Sequence, residues 1–434
     1  MILAHGIGTR SDLPVPIGLA AAAAAAALLI SFAVLAVLWR RPRRTGAGRP
    51  LPAPGAAVLD APPLRAALRC TALLVATLVV IIGLFGPDDP GANIAPWAFY
   101  VTFWVGLVPA SLLFGPVWRV LNPLRLLHER VAGLLRIDAE RGLLRLPAGV
   151  GYWPAAASLA VFAWFELVFP ARAQPVAVAV FLLGYGGAHL VAGVLFGRGW
   201  FDRGDGFEVY SALIGALAPL GRRADRRLVV RNPLDGLATV PLGPGLVGVI
   251  VALVGSTAYD GLSRTQWWNG AVPPGVLTAT GGLVASFVLI GVVFGLGTFT
   301  VTSTASAGAR SGVGPVAFAP TLVPIAAGYA IAHYFSLLVF DGQQTIILAS
   351  DPMGTGADVI GTAGRAIDYT VVGAGTIALV QLGAVVAGHL LAAISAHDQA
   401  YRLFPPRVAL RTQYPMLGAM VALTVGAVGL VFAA

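Results

Sequence analysis

Five polar side chains stand inside long apolar runs of this sequence. They are Glu166 in "FAWFELVF", His189 in "YGGAHLVAG", His333 in "GYAIAHYFSLLVF", and Gln381 and His389 in "LVQLGAVVAGHLL". An ionisable group at mid-bilayer costs roughly 2.5–3.5 kcal/mol on insertion scales, so such groups face protein or water and have a partner. With a rise of about 1.5 Å per residue, His333 and Glu166 fall roughly 7 Å to the outer side of their helix midpoints. His189 and His389 fall roughly 4–10 Å to the inner side, and Gln381 lies near the middle. The depths predict two contacts, Glu166 with His333 and His189 with His389.

The chemistry open to these groups is limited by spacing. Gln381 and His389 are eight residues apart, about 12 Å along a helix, so they cannot close on one ion. No HxxxH, HExxH or CxxC pattern is present. A divalent metal ion is therefore a candidate cofactor only if His333, His189 and His389 converge from different helices. Without a metal, His333 is the candidate general base, buffered by Glu166 or by an outer carboxylate such as Asp260. Tyr329 lies one turn before His333 on the same helical face, beyond Pro320, Pro324 and Gly328, which predict a kink.

The elements that must position these residues are membrane helices. Hydrophobic residues make up 57% of the 434 and charged residues 11%, well below the roughly 25% of a soluble domain. Mean hydropathy is +0.83. The pattern predicts an all-α, polytopic integral membrane bundle forming a single domain. About ten spans are expected, near 16–39, 67–85, 96–115, 152–170, 176–197, 240–258, 276–299, 316–340, 370–395 and 415–433. "RRPRR" follows the first span, whereas a signal peptide carries its charge before the apolar core. All 28 basic residues are Arg, and with residue 1 outside, only Arg10, Arg172, Arg264 and Arg365 fall on the outer side. The positive-inside rule then predicts a multi-pass protein of the cell membrane with both termini extracytoplasmic. The net charge of +9 belongs to this bias and to an anionic inner leaflet, and gives no nucleic-acid signal. The single cysteine, Cys70, excludes an internal disulfide.

Two inner segments, 117–137 and 207–227, predict amphipathic helices on the inner leaflet. Each follows a Leu-Phe-Gly helix end with a Trp three residues on, and each region carries Asn-Pro-Leu, which suggests an internal repeat. On the outer side, Asp260, Asp341, Gln343 and Asp351 are expected to rim a cavity above His333. "TIILA" (345–349) is apolar enough to re-enter the membrane or to lie flat.

"AHGIGTRSDLPVP", "GSTAYDGLS", "GYAIAHYFSLL", "SDPMGTG", "GHLLAAISAHDQA" and "QYPML" resemble the multipass actinobacterial membrane proteins labelled fenitrothion hydrolase. The resemblance spans most of the chain and implies hydrolysis of a hydrophobic, organophosphate-like ester. The residues leave an alternative open: a proton- or ion-coupled transporter with Glu166, His333, Gln381, His189 and His389 as a stepped relay. A third possibility is an assembly partner without a site. The expected ligand in the first two cases is a hydrophobic small molecule or an ion.

Overall fold

The computed structural model describes residues 16–39, 41–42, 48–223, 225, 227–305 and 314–433. Residues 4–15 of the stretch "AHGIGTRSDLPVP" lie outside them. Twelve helices form the frame: α1 (Ile17–Leu38), α2 (Pro62–Phe85), α3 (Ile94–Phe114), α4 (Pro123–Leu134), α5 (Trp153–Leu167), α6 (Pro175–Phe196), α7 (Gly206–Gly215), α8 (Leu246–Arg264), α9 (Val276–Ala305), α10 (Val323–Leu348), α11 (Ala374–Leu403) and α12 (Pro406–Ala433). Among the described residues, nine helices are long and apolar enough to cross a membrane. They are α1, α2, α3, α6, α8, α9, α10 with the 3₁₀ turns before it, α11 and α12.

Helix α5 is apolar but has only 15 residues, roughly 22 Å of rise against about 30 Å of hydrocarbon. It runs beside α8. The Tyr152 amide donates to the carbonyl of Pro244 where α8 begins (2.7 Å), and a Cβ on Gly248 would strike the Trp153 ring. A three-stranded antiparallel sheet joins β1 (Arg49–Pro50), β2 (Leu220–Arg222) and β3 (Leu228–Val230) in the order β1-β3-β2. Val229 is the pairing partner of both Pro50 and Gly221.

Several expected boundaries move, each for a local reason. The span expected at 240–258 starts at Leu246, because Pro241, Pro244 and Gly245 (φ +80°) cannot continue a helix, and it runs on through Arg264. Asp260 is thus inside a helix, where Arg264 four residues on neutralises it. "TIILA" neither re-enters nor lies flat; it forms the end of α10 with Ala349 as its cap. The helical run Pro315–Leu348 then has its midpoint near residue 331. That puts His333 roughly 2–3 Å from the middle rather than 7 Å. His397 and Asp398 belong to the last turns of α11 and are fully buried.

The two expected surface helices are corrected most. Helix α4 buries its polar residues Arg125 and His128. Segment 207–227 is no surface helix: residues 197–205 leave the end of α6 and fold back into the bundle, and α7 returns. Phe207 at the tip is caged by Phe103, Phe162 and Tyr185 at ring distances of 5.1, 5.1 and 4.8 Å. Tyr185 lies near the middle of α6, so the hairpin reaches about half-way along that helix. The suggested repeat has a local counterpart. Gly115 and Gly197 both end their helices with positive φ (+85° and +75°), and Asn122 and Asn232 both accept from the amide of the following Leu at 3.0 Å.

Candidate functional site

Asp260 is the hub of a buried polar cluster between α8 and α10. One carboxylate oxygen accepts from Arg264 Nε (3.1 Å) and Nη2 (2.6 Å). The other accepts from the Tyr334 hydroxyl (3.1 Å) and faces His333 Nε2 at 2.8 Å. The side chains of His333 and Asp260 are 5% and 4% exposed, so the contact is closed to bulk solvent. A carboxylate only accepts, so Nε2 carries the proton of this contact. The Tyr329 ring stacks on His333 (5.8 Å between centroids, 11° between planes). Its buried hydroxyl has no hydrogen-bond partner among the described residues. Gly261 makes room for it, since a Cβ there would sit 2.8 Å from that hydroxyl.

Glu166 is not the partner of His333; Asp260 takes that place. Asp260 lies inside α8, two residues past the expected span 240–258, and this brings its carboxylate to His333. Glu166 still lies close to the cluster, on α5 where that helix packs along α8, and is half-buried. Its own carboxyl makes no hydrogen bond or ion pair among the described residues. Helix α5 ends one residue after Glu166 and α8 four residues after Asp260, whereas α10 continues fifteen residues past His333. The cluster therefore sits at the ends of two short helices, against the flank of a long one.

The inner pair does not form. His189 Nδ1 accepts from the Trp200 indole (3.0 Å), and its ring lies 4.3 Å from that of Tyr185. An indole nitrogen can only donate, so His189 is neutral with its proton on Nε2. His389 Nδ1 donates to the Val385 carbonyl one turn earlier (2.8 Å), leaving a buried Nε2 without a partner. Gln381 is half-buried on α11. Among the described residues no group of three His, Cys, Asp or Glu side chains could hold a metal ion. The donor set at the cluster agrees: Asp260 spends its oxygens on Arg264, Tyr334 and His333. A divalent metal bound by His333, His189 and His389 does not fit.

A second polar network, missed in the sequence, ties α4 to the hairpin. Asn122 Nδ2 donates to Asp205 (2.8 Å) and Glu208 (3.0 Å). Arg125 donates through Nε to Glu208 (2.8 Å) and through Nη2 to Asp202 (2.7 Å) and Glu208. The Tyr185 hydroxyl donates to Asp205 (2.6 Å), which also caps α7 through the amides of Phe207 and Glu208. Asn122, Arg125, Asp205 and Glu208 are all at most 2% exposed. The only sequence signal was the acid-rich "DRGDGFE" next to a glycine helix end.

Of the expected outer rim, Asp341 is buried in α10 (4% exposed). Gln343 braces the loop between α10 and α11 through the backbone of Asp368. Asp351 accepts from the amides of Thr355 (2.9 Å) and Gly356 (2.7 Å), which hold its carboxyl below the usual carboxylate range. Asp358 is held low in the same way, first by the Ala363 amide and then by the Ser350 hydroxyl.

No family model, no curated protein and no solved structure matches the chain.

Proposed function

We propose that this chain is a ten-span cell-membrane protein, termini outside, that moves a proton-coupled solute or ion, with Glu166 and the Asp260–His333 pair as its proton-binding centre. The tenth crossing is α5, whose course beside α8 supports it. The Arg bias of the sequence supports the orientation. One observation carries the functional reading: Glu166, half-buried on α5 and without a hydrogen bond or ion pair among the described residues, stands close to a carboxylate saturated by Arg, Tyr and His. An isolated carboxylate in a nonpolar setting must be neutralised by a proton or cation from outside the chain. The broken α10 run, the π-helical segment Trp97–Val105 within α3 and the folded-back hairpin suit a transporter, where irregular backbone lines a path. The test is proton entry into proteoliposomes holding a trapped pH dye. Entry in the wild type that is lost in Glu166→Gln and in Asp260→Asn supports the reading, and a wild type no faster than protein-free vesicles refutes it.

The His333–Asp260 contact, together with the resemblance to proteins labelled fenitrothion hydrolase, favours a second reading. There His333 Nδ1 takes a proton from water as the water oxygen attacks a hydrophobic ester, and returns it to the departing oxygen. Hydrolysis of a triester by purified protein, lost in His333→Gln and retained in Glu166→Gln, selects this reading over transport.

A further inference from the structure

One carboxyl group on α10 is unused by the cluster. Asp341 is 4% exposed, and its side chain makes no hydrogen bond or ion pair among the described residues. It stands on a defined stripe. Tyr334, Leu337, Asp341 and Thr345 follow one another by three, four and four residues, so they share one helical face. The two ends of the stripe have known contacts. Tyr334 donates to Asp260, and the Thr345 hydroxyl meets that of Thr102 on α3 at 2.9 Å. Asp341 thus lies about 6 Å inward of Thr345 and about 10 Å outward of Tyr334 along the helix. Gln343 and Gln344, the adjacent polar residues, point their amides to the backbone of Asp368 and Gly91 and leave the stripe.

Resting on the transport reading above, we propose that Asp341 is the outer entry point for protons that reach Glu166 and the Asp260–His333 pair. A proton arriving from outside binds the Asp341 carboxylate, leaves it for water in the roughly 10 Å interval, and passes to Glu166; Asp341 ends as it began. Leu337, buried between Asp341 and Tyr334 on the same face, keeps that interval narrow.

Two measurements test the proposal. In proteoliposomes given an outside-only drop in pH, Asp341→Asn is expected to slow dye-reported proton entry by about 100-fold, the scale set by one positioned proton-transfer group, and Asp341→Glu to restore it. Entry in Asp341→Asn equal to wild type overturns the proposal. Dicyclohexylcarbodiimide attaches to protonated carboxyl groups in apolar surroundings, so peptide mass spectrometry is expected to find adducts on Asp341 and Glu166 and none on Asp260. If Asp341 stays unlabelled, the entry role falls, whether or not the protein moves protons. A wild type that takes up no protons but carries the Asp341 adduct refutes the transport reading and with it the entry role, and leaves Asp341 as a protonatable group in apolar surroundings.

Discussion

Replacing Arg125 by Met tests how α4 and the hairpin are held together. The guanidinium is 2% exposed, donates to Glu208 and Asp202, and lies 5.3 Å from the centre of the Phe201 ring. Methionine keeps much of the apolar stem and removes the charge. Glu208, also 2% exposed, is then left with Asn122 alone, while Asp202 keeps its ion pair with Arg119 (2.7 Å). Stripping one partner from a buried pair costs about 3–5 kcal/mol, because the other charge stays buried without compensation. The double variant Arg125→Met, Glu208→Leu removes both charges and is expected to fall within about 1–2 kcal/mol of wild type, since apolar replacement of a whole buried pair is often neutral. The assay is reversible unfolding in bicelles, read by steric trapping, for both single variants and the double. A double variant clearly more stable than Arg125→Met alone is the expected signature. A single-variant cost below about 1 kcal/mol would refute the reasoning, since that is the value of a solvated surface pair.

Three more outcomes follow from other parts of the molecule. Asp351 and Asp358 are held low by amides of the α10–α11 loop, so the loop gains stability from them above the ordinary carboxylate range, near pH 4, and loses it as pH falls through their lower folded values; a spin label at Met353→Cys, in a Cys70→Ser background, should be ordered at pH 6 and mobile at pH 2. Gly388→Ala should destabilise the α10–α11 contact by about 1–3 kcal/mol, the usual cost of overpacking, because its Cβ would lie 2.6 Å from the Pro324 carbonyl oxygen; unchanged stability by the same unfolding assay counts against the packing. Trp200→Phe should free His189 Nδ1, read as a changed tautomer balance by nitrogen NMR of the labelled imidazole.

How much of this was legible in the sequence depends on the distance over which each contact is made. The apolar interiors of the helices show directly, because lipid-facing surface imposes continuous hydrophobic runs. Ends are harder, since hydropathy stops at the first charge whereas a helix continues if the charge is neutralised within it. Asp260 with Arg264 is that case, and misplacing it sent His333 to the wrong carboxylate. Tyr329 beside His333 was legible because the pair is local, four residues apart on one helix. The α4–hairpin network was not: Asn122 and Arg125 find Asp205 and Glu208 across 83 residues, and only the chain's return between them brings the groups together. Read alone, α4 has the pattern of a surface helix, with arginines between leucines. Its polar face is buried because the hairpin supplies acids to meet it. The role of His189 turned on an indole eleven residues later that fixes its tautomer.

The central claim is that Glu166 and the Asp260–His333 pair take up protons from the outer side. The most direct test is the charge displaced in a supported proteoliposome layer when the outer solution is acidified. A transient inward current is predicted for wild type and for Arg365→Gln, an exposed outer-loop control, and none above protein-free liposomes for Glu166→Gln. A current of the same size in Glu166→Gln, or no current in wild type, would contradict the account.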